Sequence, residues 1–205
     1  MLTTRGFSGK GKPRGQVADR LPPGQHLTTD FPVLTAGPTP HTALEKWTLS
    51  LQHGGRLLVE WDWAEFEALP QTEIKTDIHC VTKWTKLDTR WRGVTFDDLL
   101  EATGADVSPS MFVMAHCDGG YTTNLPVADL IAGKAMVATH FEGSPLTPAH
   151  GGPARLLVPH LYFWKSAKWV RRLHFLEADQ AGFWESLGYH IYGDPWREQR
   201  YTGDA

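Results

Sequence analysis

The stretch KTDIHCVTKW, Lys75–Trp84, carries an alternating run onto a cysteine, and Cys80 is one of only two cysteines in 205 residues. Residues 75–92 hold five Lys or Arg against two Asp. A thiol at a strand end, facing a basic loop, has its thiolate favoured by those charges. A thiolate is a nucleophile or a soft metal ligand, and the surroundings suit either. The competing reading is an inert core cysteine, the usual fate of an isolated one.

A second concentration is HGGPARLLVPHLYFWKSAKWVRR, His150–Arg172, where Lys165, Lys168, Arg171 and Arg172 fall within eight residues with no acid among them. Gly151 and Gly152 would let backbone approach a ligand closely. Cationic side chains with open backbone N–H groups are what a phosphate needs, although a solvated positive face explains the same charges. The pair His-Cys occurs twice, at 79–80 and 116–117, in a chain with ten histidines, which suggests zinc or copper. In a strand, however, neighbours point to opposite faces, and neither HExxH nor CxxC is present.

These groups need a scaffold. EKWTLSLQ (45–52), GGRLLVEW (54–61), TEIKTDIHC (72–80), MFVMAHC (111–117), AMVATHFEG (135–143), ARLLVPH (154–160) and KWVRRLHFLEA (168–178) read as strands. WAEFEALP (63–70), PVADLIAG (126–133) and DQAGFWESLGYH (179–190) read as short helices. VTFDDLLEATG (94–104) reads as a helix with a Thr95-x-x-Asp98 cap and a Gly104 stop. Strands and helices mix without a βα alternation, so the fold class is α+β: one compact domain of mixed sheets with short helices.

Composition narrows the classes of function. A net charge of −3 argues against a nucleic-acid binder. Two cysteines make no disulfide framework and point to a reducing compartment. No apolar run has the length of an export signal or of a membrane span, so the reading is a soluble, cytoplasmic protein. Residues 1–29 are expected to be a flexible arm, 30–190 the domain and 191–205 a tail.

Three ordered segments, DIHCVTKW…RWRGVTFDDLL, HCDGGYTTNLPVADL and FEGSPLTPAHGGPARLLVPHLYFWKSAKWVRRLHF, resemble the molybdopterin-binding domain of the sulfite oxidase family from about Asp30 to Tyr189. That family includes sulfite oxidases, eukaryotic assimilatory nitrate reductases and the catalytic subunit of bacterial periplasmic methionine sulfoxide reductase. The resemblance implies a molybdenum–molybdopterin cofactor whose one protein ligand to the metal is the thiolate of Cys80. It places His150 and Arg155 on the pterin and its phosphate, and Lys165, Ser166 and Lys168 in the same cradle. Asp30 and Phe31 match a segment that closes over the cofactor, and Cys117 and Asp118 a loop near the metal. Lys83, Lys86, Arg90 and Arg92 are candidates for steering substrate.

The implied activity is two-electron oxygen-atom transfer on a small oxo donor or acceptor, with electrons exchanged singly with a separate carrier. After Tyr189 the chain has no room for the family's dimerisation or haem domain, so a monomer is expected. Two alternatives stay open: a non-catalytic cofactor carrier, and a redox or zinc protein using Cys80 and Cys117.

Overall fold

The computed structural model describes residues 15–104, 107–108 and 111–205. Its elements, in chain order, are β1 (His26–Leu27), β2 (Thr48–His53), β3 (Arg56–Asp62), α1 (Trp63–Ala68), β4 (Thr72–His79), β5 (Trp84–Thr95), α2 (Phe96–Thr103), β6 (Phe112–Cys117), β7 (Thr122–Pro126), β8 (Met136–Phe141), β9 (Ser144–Pro145), β10 (Arg155–Leu157), β11 (Val170–Leu176) and α3 (Phe183–Ser186). One sheet runs β1-β5-β8-β10, with β4 on β5 and β9 on β8; the other runs β3-β2-β11-β6-β7. The α+β class expected from the sequence is the class observed.

Side-chain alternation explains how the two sheets share a core. In β8, Val137 joins the large apolar cluster with Leu49, Leu51, Val113, Leu173 and Phe175 of the second sheet. Its neighbours Met136 and Ala138 face the other way, into a smaller cluster with Ile78, Cys80, Trp84 and Trp91. Leu156 and Leu157 of β10 divide between the clusters in the same manner. Strands β8 and β10 are therefore largely covered on both faces, which is why they lack a polar side over most of their length. Each large side chain fully removed from water there contributes roughly 1.5–3 kcal/mol.

The basic stretch after Cys80 is a strand, not a loop. Trp84–Thr95 pairs with β4, with Trp91 opposite Ile74, and on its far side with β8. The tight fit is visible at Gly93, where a Cβ would lie 2.1 Å from the Val137 carbonyl oxygen. Helix α2 starts later than expected because Val94 and Thr95 still belong to β5; Thr95 accepts from the Asp98 amide at 3.1 Å and Gly104 closes the helix at φ 61°. The helix expected over 126–133 is only a 3₁₀ turn at Val127–Asp129, and that over 179–190 a single turn.

Of the arm expected over 1–29, residues 1–14 lie outside the described residues. His26 and Leu27 pair in parallel with Trp84 and Thr85, and Arg20 bonds Asp77, so this part packs on the body. The expected tail likewise belongs to the fold. The Gly193 carbonyl accepts from the Tyr162 amide at 2.8 Å, and a Cβ at Gly193 would strike the Trp164 ring at 2.7 Å. Gln199 and Arg200 are buried.

The C-terminal segment is tied down by a buried ion pair. Lys165 Nζ lies 2.7 Å from Glu185 Oε1, both side chains 1% exposed, and also donates to Asn124 Oδ1 and the Ile191 carbonyl. Removing one member leaves a charge stranded in low dielectric, so Lys165→Met is expected to cost about 3–5 kcal/mol, read from urea unfolding. On the outward side of β6, burial, reinforced by Arg172 and His174, pulls the His116 imidazole down to about 4. The unfolded chain takes up that proton nearer pH 6.5, so it binds more protons than the folded chain between these values and stability declines as pH falls through the window. His116→Gln should lessen the drop in urea midpoint between pH 7 and pH 4.5.

Candidate active site

The β4–β5 hairpin turn creates the central feature. Lys83 N–H donates to the Cys80 carbonyl and Cys80 N–H to the Trp84 carbonyl, each at 2.9 Å. Lys83 takes the left-handed conformation, φ 73°, that such a three-residue hairpin loop requires. This geometry puts Cys80 at the base of the loop, where it lines a cavity of about 390 Å³. The Thr82 hydroxyl donates to Cys80 Sγ at 3.1 Å. Burial pushes the Cys80 thiol up, against the Thr82 bond and the positive charge of Arg200.

The cavity's other chemistry comes from β10 and the loop that follows. Arg155 is 1% exposed and its guanidinium lies 4.2 Å from the centre of the Phe163 ring. Its Nη1 and Nη2 donate to the carbonyls of His150 (2.8 Å) and Ser166 (2.6 Å), while Nε is buried with no partner. Lys168 Nζ donates to the carbonyls of Leu34 (2.8 Å) and Ala149 (2.6 Å). Burial pulls Arg155 down to about 9 and, with the charge of Arg155, Lys168 to about 8. Among the described residues neither cation has a carboxylate within ion-pair reach. Gly151, at φ 104°, lets the preceding turn press on both stems, since a Cβ there would meet Lys168 Cβ at 3.0 Å and Arg155 Cβ at 3.1 Å.

The walls are aromatic. Tyr121, whose hydroxyl donates to the Trp164 carbonyl at 2.7 Å, faces the space together with Trp164, Trp169 and Tyr189. Trp169 holds φ 56°, a conformation uncommon for a bulky residue. A strap over residues 31–38 forms the roof, anchored where Phe31 stacks on His150 with ring centres 4.0 Å apart and His150 Nε2 donates to the Phe31 carbonyl.

The sequence-derived residues thus divide. Cys80, Phe31, Asp118, Arg155, Ser166 and Lys168 line one cavity. Ser166 acts through its backbone toward Arg155, and its hydroxyl accepts from the Val158 amide. Asp118 is held by the Thr42 hydroxyl at 2.7 Å. His150 stands behind Phe31 and Arg155 and does not itself line the space. Cys117 is packed in the large core cluster, where burial raises its thiol, so it does not face Cys80's space as a ligand.

Three assignments change place. Lys165 points into the Glu185 network, because that carboxylate and the Asn124 carbonyl saturate its ammonium group. Asp30 is exposed on the surface, its amide turned back to Thr28 Oγ1. Arg90 is exposed opposite Lys75, six residues along β5 from Trp84, or roughly 20 Å at strand rise. Of the other steering candidates, Lys86 donates to the Thr29 carbonyl and Arg92 to His140.

Several contributors escaped the sequence reading. Gln25 Nε2 donates to the Cys80 carbonyl and Arg200 Nη1 to the Val81 carbonyl, each at 3.1 Å. Both come from segments distant in sequence, so no local pattern announces them. Thr82, two residues from the thiol, could have been found from spacing alone.

A donor set of one thiol, the buried Arg155 and the half-buried Lys168 in an aromatic cavity fits an anionic, sulfur-ligated group such as molybdenum–molybdopterin. Among the described residues no group of three His, Cys, Asp or Glu side chains comes together to hold an ion. No helix among them is long and apolar enough to cross a membrane.

Comparison with known proteins agrees. A family model described as the oxidoreductase molybdopterin binding domain matches residues 36–184. The uncharacterized oxidoreductase YuiH of Bacillus subtilis is 43% identical over 199 residues, 97% of this chain and 100% of its own length. The putative protein-methionine-sulfoxide reductase subunit YedZ1 of Azospira oryzae is 29% identical over 65% of this chain, which spans 50% of it. The NADPH nitrate reductase of Fusarium oxysporum is 31% identical over 50% of this chain, which spans 11% of it. In fold, the chain is similar to the sulfane dehydrogenase SoxCD from Paracoccus pantotrophus, with TM-score 0.58 and 20% identity over 68% of this chain and 40% of that one. Together with the Cys80 cavity, these similarities show that the chain is an oxidoreductase belonging to the molybdopterin-binding domain family of sulfite oxidase-like enzymes.

Proposed function

We propose that this chain binds molybdenum–molybdopterin through Cys80 and carries out oxygen-atom transfer on a small oxo donor or acceptor, with a separate carrier exchanging the electrons. The observation that carries the reading is a pair of cations, the buried Arg155 and the half-buried Lys168, beside a thiol and, among the described residues, without a counter-charge. Two such cations repel each other and are desolvated, a cost that an anionic ligand converts into binding energy. The family match supports the cofactor class.

When bound, the cofactor supplies the two-electron oxygen-atom transfer; the protein supplies orientation and electrostatics. Cys80 Sγ would hold the metal, and the Thr82 hydroxyl steadies that sulfur. Arg155 and Lys168 would neutralise the anionic part of the group. Trp164, Trp169 and Tyr189 wall the cavity and keep water from its interior. The strap over 31–38, tied by Lys168 to the Leu34 carbonyl, limits entry from above. The two free thiols support a reducing, cytoplasmic setting, which is part of the proposal, as is a monomeric enzyme.

Protein made in cells that assemble the pterin should contain one molybdenum per chain by elemental analysis and turn over sulfoxide or oxyanion substrates with artificial electron carriers. Cys80→Ser should abolish turnover and the visible absorption with little change in melting temperature; an active serine variant with parental absorption would remove Cys80 from the metal. Arg155→Ala should lower pterin content more than it lowers stability. Lys168→Met separates binding from folding further. Losing a charged hydrogen bond of about 1.5–3 kcal/mol weakens cofactor retention roughly ten- to a hundredfold, while the unloaded protein, relieved of repulsion with Arg155, should melt no lower than the parent. Equal pterin content in parent and variant would argue against the cradle.

A further inference from the structure

The matched domain ends at residue 184, yet a buried cation from beyond it reaches the Cys80 turn. Arg200 is 7% exposed, and its Nη1 donates to the Val81 carbonyl at 3.1 Å. Its Nη2 donates to the Pro23 carbonyl at 3.3 Å, and Cζ lies 5.0 Å from the centre of the buried Tyr162 ring. Two carboxylates lie near it, both on the solvent side: Glu198, 3.5 Å away on a side chain 51% exposed, and the exposed Asp204, which accepts from the Arg200 backbone amide at 2.8 Å. Water screens both partners far more than it screens the guanidinium, so the positive charge stays largely uncompensated toward the interior. Arg200 is separate from Arg155 and Lys168, which line the cavity.

We propose that Arg200 is a positioning residue for the metal ligand: it fixes the carbonyl next to Cys80, hence the direction of Sγ, and places a positive charge behind that sulfur. The inference rests on the molybdenum reading of Cys80. Each electron added to a metal–thiolate centre adds one negative charge, which a nearby cation in low dielectric stabilises. Arg200 therefore raises the centre's midpoint potential, just as net charge and hydrogen bonds to sulfur tune other thiolate-ligated metals. The opposing Glu198 carboxylate trims the effect from the solvent side.

The test uses cofactor-loaded protein in four forms: parent, Arg200→Met, Arg200→Lys and Glu198→Gln. Molybdenum content, midpoint potentials from redox titration followed by electron paramagnetic resonance, and the visible charge-transfer band are measured on each. Arg200→Met should shift the midpoint downward and move the band, with Arg200→Lys nearer the parent because it keeps the charge without the fork. Glu198→Gln, at the surface and outside the turn, should shift the midpoint upward by a small amount, read at low ionic strength where its screened charge counts most, with an unchanged melting temperature. If Arg200→Met takes up no metal, Glu198→Gln decides by itself. A purely structural role for Arg200 would lower melting temperature and metal content while the loaded fraction keeps the parental midpoint and band; that result, or an unshifted Glu198→Gln, overturns the proposal. A parent without molybdenum overturns the metal reading and this inference together, whereas a loaded parent with unshifted variants overturns the inference alone.

Discussion

One buried and one half-buried positive charge, with no carboxylate beside them among the described residues, set the terms for the rest of this structure. Among the described residues the hydrogen-bond partners of Arg155 and Lys168 are carbonyl oxygens, those of His150 and Ser166 for the one and Leu34 and Ala149 for the other. Carbonyl dipoles reduce the desolvation penalty without cancelling the charge. The glycine turn at 151, the strap over 31–38 and the loop carrying Ser166 all converge to hold these cations where burial disfavours them. In the proposed function an anionic ligand would offset that penalty.

The double-sided sheet supplies the rigidity this needs. β5, β8 and β10 send alternate residues into two apolar clusters, so the sheet that carries Cys80 at one hairpin and Arg155 at a strand start cannot shift without disturbing both cores. The thiol and the cation are thus fixed relative to each other by backbone hydrogen bonds across β5, β8 and β10, not by contact between their side chains. The strap and the C-terminal segment are tied to this body from outside the sheet, the one through His150 and Lys168, the other at Lys165–Glu185 and at Gly193.

Segment by segment, the chain advertised its strands well, because β2, β6, β8 and β11 have the apolar spacing that burial demands. It concealed β5: Lys86, Arg90 and Arg92 gave it the look of a solvated loop, while Trp84, Thr85, Thr89 and Trp91 are the residues that burial selects. Short helices were overextended at 126–133 and 179–190, where tertiary contacts outcompete local propensity. Lys165 shows the same limit at the site, since its sequence neighbourhood matched a cofactor cradle and only the folded chain brought Glu185 to it.

By itself the sequence determined the fold class and singled out Cys80, Arg155 and Lys168 as candidates for one site, because residue type and order along the chain carry that much. Tertiary structure alone decided which cations stay uncompensated, which are absorbed by buried carboxylates, and that Gln25 and Arg200 close on the Cys80 turn from opposite ends of the chain. The physical reason is that charge compensation and hydrogen bonding depend on distance in space, and residues 25, 80 and 200 have no neighbourhood in sequence through which that distance can be read.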